Sequence, residues 1–286
     1  MPAYQQRGKY IVLKIGLLIC LVIGVSLCGC ANRWSRQDEK KLWISPEASF
    51  RYGPIHGFVQ TPRGGSPSTT SSQRPTFKEL DITYAAMGDV SLTAGLRNHA
   101  IYCGARLVQL SGENVLDSTL ISHGMTFPAG SLVKGNVQLN WYQFGYQHRF
   151  VYSNGQGTSF GLHPAIGFVL WDFKYKLVGL GLVSLADRSY MKGAPHIGLD
   201  WEWRPKGRFS VSGGVWGALP IYDMPFILST EVVGNFRLWG KESGSRGLLF
   251  LGIGYDRVEY KDNQEIPNYI KTDIGPEFIG GLQVRF

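Results

Sequence analysis

The chain contains little charge, few cysteines and no long hydrophobic run. Only 17% of its 286 residues are charged, against roughly 25% in ordinary soluble domains, which argues against a disordered chain, a coiled coil or a charge-rich soluble enzyme. The run Ile15 to Leu27 is too short for a transmembrane helix, which needs about 20 apolar residues. The sequence instead has 37 Gly and 13% aromatic residues. This balance indicates a β-rich globule or a membrane protein.

Residues 1–29 are typical of an export signal, because three basic residues and no acidic one precede the apolar run. The segment ends in Leu27-Cys28-Gly29-Cys30, which resembles the bacterial lipobox. The resemblance implies that Cys30 is acylated, as with palmitate, and becomes the first residue of the mature protein. Because Ala31 is not Asp, it also implies sorting to the outer membrane. The alternative is an ordinary cleavage site after a small residue.

Removal of this signal changes the cysteine and charge balance. With Cys30 acylated, Cys103 is the remaining free thiol, so the mature chain cannot form an internal disulfide. The net charge falls from +8 to +5, because the signal carries three basic and no acidic residues. This charge is mild and no nucleic-acid motif is present, so we expect no nucleic-acid partner.

Residues 30–77 are polar and irregular, with the stretch Gly64 to Ser72 at their centre. Such a composition cannot bury enough apolar surface to offset the entropy of ordering the chain. We therefore expect a disordered tether over residues 30–77 and a folded domain over residues 78–286.

The folded domain shows a two-residue alternation of apolar and polar side chains, which predicts β-strands. It is clearest at the end of the chain, where Phe278, Gly280, Leu282, Val284 and Phe286 share one face. Further segments with this period lie near residues 133–141, 160–170, 196–203, 208–215, 228–238 and 249–255. Either residues 100–109 or residues 80–92 supply the first strand, which makes about eight strands.

Alternation does not say whether the apolar face points to a core or to lipid. Short Gly-rich connections at 153–157, 205–207 and 242–247 alternate with mostly longer ones, as in outer-membrane barrels. Aromatic residues also lie towards strand ends on the apolar faces, as interfacial girdles require. These residues are Trp141, Trp201, Trp203, Phe209, Trp239, Tyr255 and Phe286. Both features favour a transmembrane barrel over a sandwich with an aromatic core.

The last strand ends in an aromatic residue and resembles that of bacterial outer-membrane barrel proteins of the small eight-stranded class. The resemblance implies an all-β, antiparallel, up-and-down transmembrane barrel and a barrel-assembly signal formed by Phe278, Leu282, Val284 and Phe286. It also implies a monomer in the outer membrane with its lipid-anchored N-terminus facing the periplasm. The implied partners are outer-membrane lipids and the barrel-assembly and lipoprotein-sorting machinery.

An eight-stranded barrel is filled by its own side chains, which disfavours a diffusion pore. Polar residues on the lumenal faces should then form a hydrogen-bonded network. They are Glu231, Arg237, Asp256, Glu277, Arg285, Asp200 and Glu202. We therefore predict a structural or surface-interaction role, with no cofactor and no metal.

Two alternatives remain open. One is a lipid-modifying enzyme of acyltransferase or deacylase type, whose candidate catalytic residues are His163, His196, Asp200, Ser210 and Ser212. No G-x-S-x-G or H-E-x-x-H motif supports it. The other is a tethered periplasmic barrel that binds a hydrophobic ligand. The apolar stretch Leu177 to Val183 predicts an extended hairpin or, alternatively, a surface for a hydrophobic partner.

Overall fold

The computed structural model describes residues 42–63, 73–155, 157–181, 184–240 and 245–286. The predicted signal and Cys30 lie outside this range. The strands are β1 (Leu42–Gln60), β2 (Tyr84–Leu96), β3 (His99–Val115), β4 (Leu120–Ser122), β5 (Met125–Phe127), β6 (Leu132–His148), β7 (Phe150–Ser153), β8 (Ser159–Gly179), β9 (Leu185–Arg204), β10 (Phe209–Ala218), β11 (Phe226–Gly240), β12 (Arg246–Lys261) and β13 (Tyr269–Arg285). In these parts of the chain, no helix has the length and apolar character needed to cross a membrane.

Ten of these strands close into one antiparallel barrel. Neighbouring strands follow the order β6-β3-β2-β1-β13-β12-β11-β10-β9-β8, and β6 also pairs with β8. The short β7 pairs with β8 directly after β6, and β4 and β5 form a separate hairpin. The predicted all-β antiparallel barrel is confirmed, but the prediction of about eight strands is wrong. Both candidates for the first strand are strands, β2 and β3, and β1 precedes them.

The predicted tether extends too far. Its residues 42–60 form β1, which pairs with β2 on one side and with β13 on the other. Two prolines, Pro46 and Pro54, and the inward-facing serines Ser45 and Ser49 obscure the apolar alternation of this strand. The barrel therefore begins at residue 42 rather than at residue 78. Residues 30–41 and the stretch 64–72 lie outside the described residues.

The two ends of the barrel differ. At the turn end, strands are joined near residues 97–98, 154–158, 205–208 and 241–245, and both Leu42 and Phe286 lie there. At the loop end, the connections span residues 61–83, 116–131, 180–184, 219–225 and 262–268. The predicted short turn at 205–207 is confirmed, and those at 153–157 and 242–247 include residues outside the described part. The stretch that begins at Leu177 extends β8 as far as Gly179, and its residues 182–183 lie outside the described part.

The outward surface of the turn-end half is apolar, and that of the loop-end half is polar. Around the turn-end half, exposed apolar side chains include Leu42, Phe50, Val90, Leu92, Ile101, Phe144, Ile166, Trp203, Phe209, Val232, Phe236, Leu249, Leu251, Ile253, Phe278 and Leu282. The outward positions of the loop-end half include Gln109, Glu113, Lys134, Gln138, Lys174, Lys176, Asp187, Arg257, Glu259, Lys271 and Asp273. The outer surface therefore changes character about half-way along the strands.

The interior changes in the opposite sense. In the loop-end half it is a hydrophobic core that includes Val108, Val137, Leu139, Val169, Trp171, Phe173, Leu177, Val258, Ile270 and Ile274. The apolar face of residues 133–141 belongs to this core. Placing that face and Trp141 towards lipid was wrong, because Trp141 is only 1% exposed and points into the lumen. Charged and polar side chains line the turn-end interior.

Loop segments cover the hydrophobic core at the loop end of the barrel. The segment 73–82 bridges to β1 through Phe58 and Thr76, and it buries Phe77, Leu80 and Ile82 together with Leu120 and Phe127 from the β4–β5 hairpin. We call the segment 73–82 and this hairpin the cap.

A capping box shapes the first part of the cap. The Thr76 backbone N–H donates to Glu79 Oε2 at 2.9 Å, and the Glu79 backbone N–H donates to Thr76 Oγ1 at 3.2 Å. The guanidinium of Arg74 stacks 3.3 Å above the Phe58 ring. Partial burial lowers the pKa of Arg74 from its usual value. The cap is therefore held by polar contacts at its surface as well as by its buried apolar side chains.

Candidate functional site

A network of charged side chains crosses the barrel where its two halves meet. Arg51 on β1 donates to Asp89 Oδ2 at 2.6 Å and to Glu277 Oε2 at 3.3 Å. Its remaining nitrogen contacts Glu231 on β11. One guanidinium therefore joins carboxylates from three other strands.

Arg106 on β3 is the second cation of this network. It holds Asp89 by two hydrogen bonds, of 2.7 Å and 2.8 Å, in the bidentate geometry that favours arginine–carboxylate pairs. Its Nη1 contacts Asp256 and lies 3.3 Å from Ser229 Oγ. Since β3 and β12 are four strands apart around the barrel, the contact with Asp256 crosses the lumen.

The network is deeply buried and rich in negative charge. Asp256 and Glu277 are at most 1% exposed, and four carboxylates face two guanidinium groups. Removing either cation would leave carboxylates buried without their partner, which costs several kcal/mol. The network therefore ties distant strands together across the lumen at mid-height.

A cavity of about 320 Å³ lies in the turn-end half of the lumen. The mid-barrel network borders it at one end, since Arg51, Asp89 and Glu231 contribute to its wall. The remaining wall is mostly polar and includes Glu47, Gln143, Gln147, Asp200, Ser212 and Gln283. This lining does not suit the hydrophobic ligand that one of the sequence-based alternatives requires.

The predicted histidines and Asp200 all lie on this wall, but each has a separate environment. His196 is 1% exposed, and its Nε2 atom contacts the hydroxyl of Tyr102. Asp200 accepts a hydrogen bond of 2.7 Å from Gln147. His163 faces Asp200 in the β8–β9 register, but no hydrogen bond joins them among the described contacts.

The predicted nucleophiles do not meet a base. Ser212 is hydrogen-bonded to the amide of Asn235 at 2.9 Å, and Ser210 is buried on the same strand. Among the described residues, neither serine is hydrogen-bonded to His163 or His196. Nucleophilic catalysis needs such a pair, with the base oriented by a third group, and the structure does not assemble one.

Inward-facing glycines allow the wall side chains to lie flat. A Cβ atom at Gly145 would lie 2.6 Å from the Tyr102 hydroxyl, and one at Gly214 would lie 2.2 Å from Asp200 Oδ1. A Cβ at Gly167 would lie 2.8 Å from the His196 ring. Because these side chains cover glycines of other strands, the centre of the turn-end lumen stays open.

Arginines surround the turn-end mouth of the cavity. Trp43 lies between two of them, with the guanidinium carbons of Arg285 and Arg149 at 4.3 Å and 4.9 Å from its ring. Such cation–π contacts are favourable. Arg204 also pairs with Glu202, and Arg246 lines the same region. The mouth is therefore basic, whereas the deeper wall is acidic.

The predicted lumenal network is only partly the observed one. Glu231, Asp256 and Glu277 belong to it, whereas Asp200 and Glu202 have other partners. Arg237 donates to the carbonyl of Gly207 in a turn, and Arg285 stacks on Trp43. Sequence reasoning missed Arg51, Asp89, Arg106 and Glu47. Arg51 and Glu47 fell in the predicted tether, and the other two fell in segments where the alternation is weak.

The residues of the predicted assembly signal lie on β13, between β1 and β12. Phe278, Leu282 and Phe286 are exposed on the outer surface, and Val284 is half-buried. Their recognition by the assembly machinery remains a prediction. In the described part of the chain, no group of three or more His, Cys, Asp or Glu side chains is arranged to hold a metal ion.

No protein-family model and no curated protein matches this chain. Similar solved structures include the attachment invasion locus protein Ail of Yersinia pestis, at 11% identity over 84% of this chain and 99% of that chain, with a TM-score of 0.33. The outer membrane protease OmpT of Escherichia coli is 11% identical over 85% of this chain and 96% of that chain, with a TM-score of 0.39. The outer membrane protein OprG of Pseudomonas aeruginosa is 8% identical over 87% of this chain and 97% of that chain, with a TM-score of 0.38. At such low identities and TM-scores, none of these similarities carries weight for the function of this chain.

Proposed function

We propose that this protein is an outer-membrane β-barrel that acts at the cell surface by binding rather than by transport. The observation that supports the proposal is the reversal of polarity along the barrel. An apolar belt surrounds the turn-end half, whose interior is charged, and a polar surface surrounds the loop-end half, whose interior is apolar. Hydrocarbon around the first half and water around the second account for both patterns.

The dimensions of the apolar belt fit a membrane. Its outward side chains on β13 run from Phe278 to Phe286, nine residues, and about 9–11 residues of a tilted strand span the hydrocarbon core. Aromatic side chains lie at both edges, as the two interfaces of transmembrane barrels require. They are Tyr52, Tyr84, Tyr142 and Tyr255 towards the loop end, and Trp203, Phe209, Trp239 and Phe286 towards the turn end.

The side chains that fill the loop-end half of the lumen favour a binding role over a transport role. The Arg51–Arg106 network spans the barrel at mid-height, and the hydrophobic core and cap fill the space above it. The structure also brings no nucleophile and base together, so nothing in the described wall favours a lipid-modifying enzyme.

The loop end offers the surface for interaction. The loop between β10 and β11 exposes Ile221 and, with 91% of its surface accessible, Tyr222. Tyr222 has a positive φ of 54°, an uncommon conformation for a bulky residue. Its neighbour Asp223 is tied down by Lys192 and by the Tyr260 hydroxyl. An exposed aromatic side chain is a common anchor in protein recognition.

A lipid at Cys30 forms the second part of the proposal. It rests on the lipobox-like sequence that ends at Cys30, and it would attach the start of the mature chain to the turn-end side of the membrane. This places the turn end in the periplasm and the loop end outside the cell.

Fractionation of a Gram-negative host that expresses the full chain tests both parts. We expect the wild type and Cys30→Ser to stay in the outer membrane after carbonate extraction, because the belt alone holds the barrel there. Both should also show heat-modifiable migration on gels. Extraction of Cys30→Ser into the soluble fraction would defeat the transmembrane proposal. Metabolic labelling with palmitate should mark the wild type and not Cys30→Ser, and equal labelling of both would defeat the lipid anchor alone.

A further inference from the structure

Two histidines and a tyrosine meet on the outer surface of the barrel at its turn end. His99 begins β3 and His148 ends β6, and the two residues stand directly opposite each other in the register of these strands. Tyr146 precedes His148 by two residues, so its side chain points to the same face of β6. The two strands therefore bring all three side chains to one point at the edge of the apolar belt.

The backbone holds the two histidines as close together as paired strands allow. The Arg149 backbone N–H donates to the Asn98 carbonyl at 2.8 Å, so these two residues form a hydrogen-bonded pair. His99 and His148 form the next pair, which is not hydrogen-bonded through the backbone. Residues of such a pair have Cα atoms only about 4.5 Å apart and side chains that contact each other. The centroids of the two imidazole rings lie 5.0 Å apart, with the ring planes at 79°.

Three possible ligand atoms converge within this cluster. The Tyr146 hydroxyl oxygen lies 2.6 Å from His99 Nδ1 and 3.2 Å from His148 Nδ1. An imidazole nitrogen carries a lone pair whenever the other nitrogen of its ring carries the proton. When both rings are protonated on Nε2, two lone pairs face one oxygen whose single proton can serve only one of them. A cation at this point would satisfy both nitrogens and the oxygen.

The type and the spacing of these atoms suit a transition metal. Imidazole nitrogens are good ligands for zinc, copper and nickel ions. Around a tetrahedral zinc ion, with bonds of about 2.0–2.1 Å, ligand atoms lie about 3.3 Å apart. The two contacts with the hydroxyl are shorter than this spacing by at most about 0.7 Å, so small rotations of surface side chains are sufficient. A water molecule can take the fourth position.

The cluster is accessible from outside the barrel. His99 is exposed, Tyr146 is 38% exposed and His148 is half-buried, so an ion can approach from the turn end. Phe150 packs against the His148 ring with centroids 4.5 Å apart, which restricts the orientation of that ring. The neighbouring Arg149 points into the lumen and lines its cavity. Its positive charge therefore lies on the opposite side of the sheet from the cluster.

We propose that His99, His148 and Tyr146 bind a divalent transition-metal ion of the Zn²⁺ and Cu²⁺ class. The two Nδ1 atoms and the phenolate oxygen hold the ion, and the proton of the tyrosine hydroxyl is released to solvent on binding. The set contains only two imidazoles, with a phenol as the third ligand. The bound ion joins β3 to β6 at the turn end. This site is separate from the proposed surface role at the loop end and does not depend on it.

Calorimetric titration of the full chain in detergent micelles at neutral pH, with Zn²⁺ as the probe, tests the proposal. We expect a saturable site in the wild type. His99→Ala and His148→Ala should each weaken Zn²⁺ binding by at least about a hundredfold, because each removes one of three protein ligands. His56→Ala removes an exposed histidine of β1 in the loop-end half. It is the matched control and should bind Zn²⁺ like the wild type, as should Cys103→Ser.

The released proton separates a metal site from a cluster that only forms hydrogen bonds. Titration in two buffers of different ionisation enthalpy should show release of about one proton per bound ion. Tyr146→Phe should abolish this release and weaken Zn²⁺ binding by about tenfold or more. Zn²⁺ should also raise the urea midpoint of the wild type and not that of His99→Ala, because an ion that binds only the folded state stabilises it.

Heat-modifiable migration shows that each variant is folded before it is titrated. The proposal fails if the wild type binds no Zn²⁺, or if folded His99→Ala and His148→Ala bind it like the wild type. It also fails if Cys103→Ser removes the binding, because the thiol would then be the ligand. Proton release that persists in Tyr146→Phe would overturn the three-ligand site.

Discussion

The same strands form the turn-end and loop-end halves of the barrel, but the two halves differ in which surface is apolar. The outer surface is apolar in the turn-end half, and the interior is apolar in the loop-end half. On β6, the outward Phe144 and Tyr146 of the turn-end half give way to the outward Lys134 of the loop-end half. The inward side chains change from Gln143 to Val137 over the same length. A β-strand therefore does not have one apolar face along its whole length. The proposed membrane around the turn-end half and water around the loop-end half account for which face is apolar.

The two halves are also stabilised by different interactions. Around the loop-end half, water accepts polar side chains and the hydrophobic effect drives apolar ones inward. In the proposed membrane location, the hydrocarbon around the turn-end half accepts apolar side chains and offers no hydrogen bonds, so inward polar groups must satisfy one another. The first half depends on packing and the second on ion pairs. Three substitutions separate these contributions.

The largest effect is expected at the junction of the halves. Arg106→Met leaves Asp256 buried without its cation and leaves Asp89 with Arg51 as its remaining cation, and this should lower the free energy of unfolding by about 3–5 kcal/mol. Arg257→Met removes an arginine of the outer surface, which pairs with Glu259, and should cost less than about 1 kcal/mol. Urea unfolding in detergent, followed by tryptophan fluorescence, measures both. Equal losses would mean that the buried network does not tie the strands together.

A charge on the outer surface tests the belt itself. Leu251 is 53% exposed at mid-height of the belt, and Leu251→Arg should cost about 2–4 kcal/mol in a lipid bilayer. Gln138→Arg places the same charge on the outer surface of the loop-end half and should change the stability by less than about 0.5 kcal/mol. Unfolding from lipid vesicles gives the comparison. If Leu251→Arg is tolerated as well as Gln138→Arg, the apolar belt does not face hydrocarbon.

The smallest effect concerns the fit of the cap into the loop-end half. A Cβ atom at Gly112 would lie 2.1 Å from the carbonyl oxygen of Leu80, so Gly112→Ala should cost about 1–3 kcal/mol. It should also make the segment 73–82 more sensitive to limited proteolysis. Gly88→Ala is the control, because its Cβ meets no atom within 4 Å. Unchanged proteolysis of Gly112→Ala would show that the cap does not need this close approach.

The alternation predicted the turn-end half well. The outward faces at Phe278, Val232, Trp203 and Leu251 are those predicted from the sequence, because an apolar outer surface and a polar lumen produce a strict two-residue period. The same reasoning wrongly predicted that Val137 and its neighbours point towards lipid. In the loop-end half, apolar side chains also recur every second residue, but they form an ordinary core.

The first strands were harder to predict because their inward residues are polar and their partners are distant. In the sequence, Arg51 lies in a stretch that resembles a tether. In the structure it contacts Asp89, Glu231 and Glu277, which come from three different strands. The candidate catalytic residues illustrate the opposite error. Ser212 and His196 lie on polar faces of adjacent strands, yet Asn235 and Tyr102 are their partners.

By itself, the sequence determined the all-β class, the short turns and the outward face of the later strands, because strand periodicity and turn chemistry are local properties. Only the tertiary structure decided the number of strands and the mid-barrel network. These features depend on the register and shear of a closed sheet, which bring together residues far apart in the chain. The structure explains the low charged fraction of the chain. The outer surface of the belt carries almost no charge, and the charged side chains of that half lie in the lumen.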